Sequence, residues 1–216
     1  MTWYLDTDHP VAVNSYDHLY PLGTARDNTK SPDFNARLFG LYPGQIGVLD
    51  LGCAGGGFVE SVIEDGHIAV GLEGSDYSLK LKRAAWATVP GNLFTCDISY
   101  PFVLHAGDGL PCKFDVVTAW DSLEHIEMGD LDMVFDNIKL HSKYRAMFLM
   151  TTTQHASMHQ GVALHRTRKN GDWWSAKIES LGFKRSADME EYFKDNWLRK
   201  NSDYSMAFVY QGENND

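Results

Sequence analysis

The chain is poor in cysteine, in positive charge and in long apolar runs, and each shortage removes a class of protein. Three cysteines, Cys53, Cys96 and Cys112, are too few for a disulfide framework in 216 residues. Two of them stand beside strand-like ends and read as reduced thiols, which points to a reducing compartment, the cytoplasm. Against 29 Asp and Glu there are only 19 Lys and Arg, a formal charge of −10 with no basic stripe. Attraction to a polyphosphate backbone is therefore not the main source of affinity, and no nucleic-acid partner is expected. No apolar run approaches the roughly 18 residues of a membrane span. Residues Met1 to Asp6 also lack a basic start followed by an apolar core, so neither a membrane nor export is expected.

What the chain does contain is enough apolar material, 44% hydrophobic and 12% aromatic, for one sizeable core, and a single domain over residues 1–216 is expected. From about residue 46 onward short apolar runs alternate with helical patterns, the signature of a layered α/β domain with a largely parallel sheet. The strand-like runs are 46–51, 67–73, 92–96, 114–119, 146–151, 183–186 and 204–211. Apolar residues at three- and four-residue spacing predict helices over 58–64, 77–88, 131–141 and 173–181. Residues 1–45 are rich in Asp, Asn, Pro and Tyr without a clear strand and read as a cover over the 46–216 core. Within it, 16–28 carries aromatics and Arg26 suited to a lid.

The most informative stretch is Val48-Leu49-Asp50-Leu51-Gly52-Cys53-Ala54-Gly55-Gly56-Gly57-Phe58, a strand that runs into a glycine-rich turn and then a helix. Glycines let a backbone approach a ligand closely, and the helix start offers free N–H groups to a nucleotide. The dinucleotide fingerprint is nearly met, but Ala54 takes its middle glycine and Asp50 precedes the first, so the turn alone is ambiguous. Three further strand ends decide it. Glu73 closes one strand, placed to accept both ribose hydroxyls, with Gly74 and Ser75 behind it. Asp97 and Ile98 close the next, a carboxylate for an adenine amino group beside a side chain for the ring. Trp120-Asp121-Ser122-Leu123-Glu124-His125 closes a fourth.

These four segments, in this order, resemble the class I S-adenosylmethionine-dependent methyltransferases. The family's first motif falls on Asp50, Gly52, Ala54 and Gly56, with Cys53 between; Ala54 replaces a glycine, tolerable if its φ is negative. The second falls on Glu73, Gly74 and Ser75, the third on Asp97 and Ile98, and the fourth on the segment with Trp120 and His125, the latter on the sulfonium side. The resemblance implies a Rossmann-like, doubly wound, seven-stranded sheet, mostly parallel with its last strand antiparallel. The cofactor, S-adenosylmethionine, would lie across the carboxyl ends of the strands.

Methyl transfer from a sulfonium is an in-line displacement that gains most from orientation and needs a base only when the nucleophile carries a proton. Three of the nine histidines, His155, His159 and His165, fall in the segment after the fifth strand. His165 is the first candidate base, because residues 164–167 followed by Asp172-Trp173-Trp174 look like the acceptor side of glycan and natural-product methyltransferases; His155 is second. Asp121, Glu124, His125 and Glu127 offer divalent-metal chemistry, but acids after a strand are usually caps and solvated faces, and no metal is expected. The expected activity is methylation of an oxygen on a small polar acceptor, such as a sugar or glycan precursor. The alternatives are N-methylation of a small molecule, a nicotinamide-dependent oxidoreductase, and a cofactor-binding subunit without catalysis.

Overall fold

A computed structural model describes residues 1–212; the last four positions of the expected core lie outside the described residues. In chain order the elements are β1 (Tyr4–Thr7), α1 (Tyr16–Leu19), α2 (Leu22–Arg26), α3 (Pro32–Phe39), β2 (Gly47–Leu51), α4 (Gly57–Glu64), β3 (Ile68–Glu73), α5 (Tyr77–Lys80), α6 (Ala85–Thr88), β4 (Leu93–Thr95), β5 (Phe102–His105), β6 (Phe114–Trp120), α7 (Leu131–Leu140), β7 (Ser142–Thr152), β8 (Met158–His159), β9 (Val162–Ala163), α8 (Gly171–Ser180), β10 (Phe183–Arg185), α9 (Ala187–Phe193) and β11 (Tyr204–Tyr210).

Seven of these strands form one sheet in the order β10-β11-β7-β6-β2-β3-β4. The central pairs are parallel, whereas β11, the last strand, runs antiparallel to both β7 and β10. Side chains alternate across a strand, so each strand feeds two cores. Leu49, Leu51, Val117 and Ala119 face one, with Val134, Phe135 and Ile138 of α7 and Trp174 and Ile178 of α8. Val48, Val116 and Trp120 face the other, with Phe34 and Leu38 of α3, Val59 and Val62 of α4, and Phe193 of α9. This is the doubly wound architecture, and the chain reverses its winding direction between β2 and β6, where a crevice opens at the strand ends. Among the described residues no helix is long and apolar enough to cross a membrane.

Several local features depart from the sequence reading. Residues 77–88 do not form one helix: Lys82 and Ala84 take φ of 48° and 51°, splitting it into α5 and α6. Tertiary bonds account for the break. The Arg83 guanidinium donates to the Thr24 and Asp27 carbonyls, both at 2.9 Å, and Ala85 N–H donates to Gly55 O at 3.0 Å. The strand expected at 146–151 begins at Ser142 and passes an irregularity, with Arg145 at φ 59°. Residues 1–45 carry three short helices and β1, which pairs antiparallel with β5, a contact that no local pattern announces. Residues 187–193 form α9, capped by the Ser186 side chain, where no helix was expected.

Candidate active site

The β2 end is shaped by two demands on its glycines. Gly52 has φ +78°, which favours glycine, and a Cβ there would stand 2.6 Å from Ser122 Cβ. Gly55 serves a close approach, since a Cβ there would meet the Asp27 carbonyl at 2.5 Å; its N–H donates to that carbonyl. That glycine therefore admits the N-terminal arm rather than a ligand. Ala54 corrects an expectation: its φ is +49°, not negative, a conformation that costs a residue with a Cβ roughly 1–2 kcal/mol. Two bonds hold it there. Its N–H donates to Glu73 Oε2 at 2.8 Å, and its carbonyl accepts from Trp86 Nε1 at 2.9 Å.

Glu73, at the end of β3, is the hub of this end of the crevice. Its Oε1 accepts from Ser75 N–H at 3.0 Å and from the Thr24 hydroxyl at 3.3 Å. Burial pushes its pKa up, and the three bonds oppose that rise. Asp50 lies beneath, 2% exposed, accepting from the Thr118 hydroxyl at 2.7 Å. Burial raises its pKa to about 7, the Thr118 bond opposes this, and the Glu73 charge adds to it.

A cavity of about 920 Å³ occupies the crevice. Gly52, Ala54, Glu73, Gly74, Ser75, Asp97, Ile98, Trp120, His125 and His165 all line it, so the structure gathers most of the residues singled out in the sequence. Asp50 and Cys53 line only a side cleft under the turn, and Gly56 caps α4 where an added Cβ would meet Leu93 Cδ1 at 2.6 Å and Ala85 Cβ at 3.0 Å. Asp97 Oδ1 accepts from Ser99 N–H at 3.0 Å, and the Asp97 N–H donates to His9 O at 2.9 Å. Carboxylates outnumber guanidinium groups on the wall: Asp17, Asp27, Glu73, Asp97, Asp121, Glu127 and Asp130 against Arg26, Arg166 and Arg199.

Two coverings close over it. The arm at 12–29 is tied down by Ala12 N–H to Gly74 O at 2.9 Å and by a bond between Asp17 Oδ2 and His125 Nδ1 at 2.7 Å. The other covering is the β8–β9 hairpin and the run to Thr167. Arg166 and Thr167 donate their N–H groups to the Glu124 carbonyl, at 2.7 and 2.9 Å, and the Thr167 hydroxyl donates to Ile126 O at 2.7 Å. That latch brings His165 beside His125, with ring centroids 4.7 Å apart. His165 Nδ1 donates to the His155 carbonyl at 2.7 Å, a tautomer that leaves Nε2 its lone pair. Burial holds the His165 pKa below its ordinary value. For His125 burial acts in the same direction, but the Asp17 bond and surrounding carboxylates outweigh it and raise the pKa. Glu124 is fully buried beside them; burial raises its pKa to about 7, while the neighbouring His125 and the Thr152 hydroxyl, 3.1 Å away, oppose the rise.

The structure keeps His155 apart from this group. Its side chain is exposed and its Nε2 stands 3.1 Å from Asp203 Oδ1. Asp17 was missed from sequence as a specific partner, because nothing local to residues 16–28 signals a bond across 108 positions.

A doubly wound sheet with a carboxylate-lined cavity at its switch point is the architecture in which nucleotide cofactors bind. A family model described as a methyltransferase domain matches residues 25–198. The chain belongs to the class I S-adenosylmethionine-dependent methyltransferase family. Among curated proteins, the mitochondrial ubiquinone biosynthesis O-methyltransferase of Schizosaccharomyces pombe is 28% identical over 135 residues, 56% of this chain and 48% of that protein. The chain thus spans about half the length of the curated relative it matches. Among solved structures, a TehB-like methyltransferase from Corynebacterium glutamicum superposes with TM-score 0.60 at 14% identity, covering 93% of this chain and 98% of that one. The amino pentose methyltransferase CalS10 from Micromonospora echinaspora gives TM-score 0.58 at 14% identity, covering 92% and 93%. At such identities the structures attest the fold alone.

Proposed function

We propose that the protein moves the methyl group of S-adenosylmethionine to an oxygen of a small polar acceptor, such as a sugar or glycan precursor. The observation that carries this reading is one cavity lined both by Glu73 and the glycine turn and by His125 and His165, with Glu124 buried behind the two histidines. Glu73 accepts the ribose hydroxyls, with Gly52, Cys53, Ala54, Gly56, Gly74 and Ser75 shaping the backbone around it. Asp97 accepts from the adenine amino group and Ile98 packs on the ring. Trp120 and His125 flank the sulfonium, whose positive charge suits a wall richer in carboxylates than in guanidinium groups. The same wall opposes a nicotinamide dinucleotide, whose pyrophosphate would meet those carboxylates.

At the acceptor end, His165 takes the hydroxyl proton at Nε2 as the oxygen attacks the methyl carbon and the C–S bond breaks. His155 then contributes its backbone carbonyl, which fixes the His165 ring. Residues 1–45 act as the cover of a single methyltransferase domain. We place the activity in the cytoplasm, where Cys53, Cys96 and Cys112 stay free thiols. A thermal-shift panel of S-adenosylmethionine, its demethylated product, NAD and sugar nucleotides tests the reading, because ligands of the native state raise the midpoint. A rise with the first two and none with NAD is expected. Methyl-transfer assays on hydroxyl and amine acceptors then separate oxygen from nitrogen methylation. A rise with NAD alone overturns the proposal.

A further inference from the structure

We propose that Glu124, His125 and His165 bind one divalent first-row transition cation. One ligand atom from each lies within 4.8 Å of the others, and His125 and His165 line the cavity. Ligands at right angles on a cation with bonds of about 2.1 Å stand about 3 Å apart, so small rotamer adjustments close the trio.

Three independent features mark these residues as more than neighbours. Glu124 is fully buried, and while its Oε2 accepts from Thr152, its Oε1 has no hydrogen-bond partner. A buried carboxylate oxygen without a donor is costly unless something cationic completes it. Each imidazole is also held from behind through Nδ1, His125 by the Asp17 carboxylate and His165 by the His155 carbonyl. Metal-binding histidines are characteristically oriented in this way, which leaves Nε2 for the ion. Finally, the ligands come from two chain segments joined by the Arg166 and Thr167 bonds to the Glu124 carbonyl, so the folded chain assembles the set. Asp17 and the His155 backbone position ligands.

Two imidazoles and one carboxylate favour cobalt, iron, manganese or zinc over magnesium or calcium, which prefer oxygen. Three protein ligands leave positions open, the pattern of catalytic rather than structural sites. The acceptor class that fits is one with two adjacent oxygens, able to chelate the ion, and this part rests on the function proposed above. A cation held by these residues would lower the pKa of an acceptor hydroxyl beside it, easing loss of that proton to water as the oxygen attacks the methyl carbon. The C–S electron pair stays with sulfur as a neutral thioether. With the cation bound, His165 would be a ligand and not the base assigned above, and the cation would take over in favouring the deprotonated acceptor.

The test is titration of the chelator-stripped full chain with Co²⁺ and Zn²⁺ by calorimetry, with Co²⁺ also followed by its visible absorption and Mg²⁺ as the oxygen-preferring control. One equivalent of Co²⁺ is expected, with Mg²⁺ far weaker. Glu124→Gln and His165→Ala should weaken Co²⁺ by about 100-fold and Asp17→Asn by about 10-fold. Binding of S-adenosylmethionine by each variant reports that it is folded, and His165→Gln serves where His165→Ala is not. Absence of saturable Co²⁺ binding in the parent, or binding unchanged in folded Glu124 and His165 variants, overturns the site. Full methyl transfer in chelator with a slow His165→Ala sinks the cation and leaves the base. Co²⁺ binding without S-adenosylmethionine binding keeps the site and sinks the proposed function.

Discussion

Replacing Glu73 by Ala separates the two jobs this carboxylate is built to do. In the structure it already accepts three hydrogen bonds, from Ala54 N–H, Ser75 N–H and the Thr24 hydroxyl. A carboxylate offers about four lone-pair directions, so a ribose diol must take the remaining one and displace the longest bond, that of Thr24 at 3.3 Å. Charge-assisted bonds of this kind contribute about 1–3 kcal/mol, and Glu73→Ala should weaken S-adenosylmethionine by roughly 5- to 150-fold. The same change leaves the Ala54 and Ser75 N–H groups without an acceptor, and Ala54 holds a positive φ that the Glu73 bond helps to fix. The thermal midpoint should therefore fall as well. Calorimetry with the cofactor and its demethylated product, beside a thermal melt, reads both. A lowered midpoint with unchanged affinity would refute the ribose role and leave Glu73 as a clamp on the turn.

Other expectations rest on separate parts of the molecule. His141 is fully buried, its Nε2 accepting from Leu104 N–H at 3.0 Å, and burial pushes its pKa down to about 4. Its neutral form is the folded one, so stability is complete above its ordinary pKa of about 6.5 and falls by about 3 kcal/mol as pH drops to about 4; denaturant melts of His141→Gln should lack that part of the slope. A Cβ on Gly71 would stand 2.8 Å from Cys53 Sγ and 2.9 Å from Leu93 Cδ2. Gly71→Ala should thus cost about 1–3 kcal/mol, read as a midpoint lowered by several degrees. His165→Ala should slow methyl transfer by roughly 10²–10⁴-fold with cofactor affinity kept, while His155→Ala, an exposed side chain whose carbonyl remains, should do far less.

The parts of the fold that were legible in the sequence are those written in short-range pattern. Each expected strand of the large sheet exists, since a central parallel strand such as Phe114–Trp120 is an apolar run that local reading detects. What escaped is set by contacts between distant segments. Arg83 breaks a helical pattern by reaching carbonyls 56 and 59 residues away. The β1–β5 pair joins residues about a hundred positions apart, and its strands are too short to carry a period. Ala54 belongs here as well: only the Glu73 and Trp86 bonds explain why a residue with a Cβ accepts φ +49°.

The site divides along the same line. The end proposed to hold the cofactor follows strand order, because the topology that the apolar runs encode brings the acidic strand ends Glu73 and Asp97, though not Asp50, to the crevice wall. Its other end depends on a loop folding back. The sequence reading set the metal aside because acids after a strand, such as Asp121, Glu124 and Glu127, are usually caps and solvated faces, and no spacing rule links His165 to Glu124 across 41 positions. The backbone bonds from Arg166 and Thr167 make that link, and they act on the carbonyl of the same residue whose buried Oε1 lacks a donor. A mutation that loosens the latch, such as Thr167→Val, which removes the hydroxyl bond to Ile126 O, should therefore displace His165 without touching it. That would put control of the proposed acceptor end in the 153–167 segment, the part of the chain where the sequence has histidines but no periodicity.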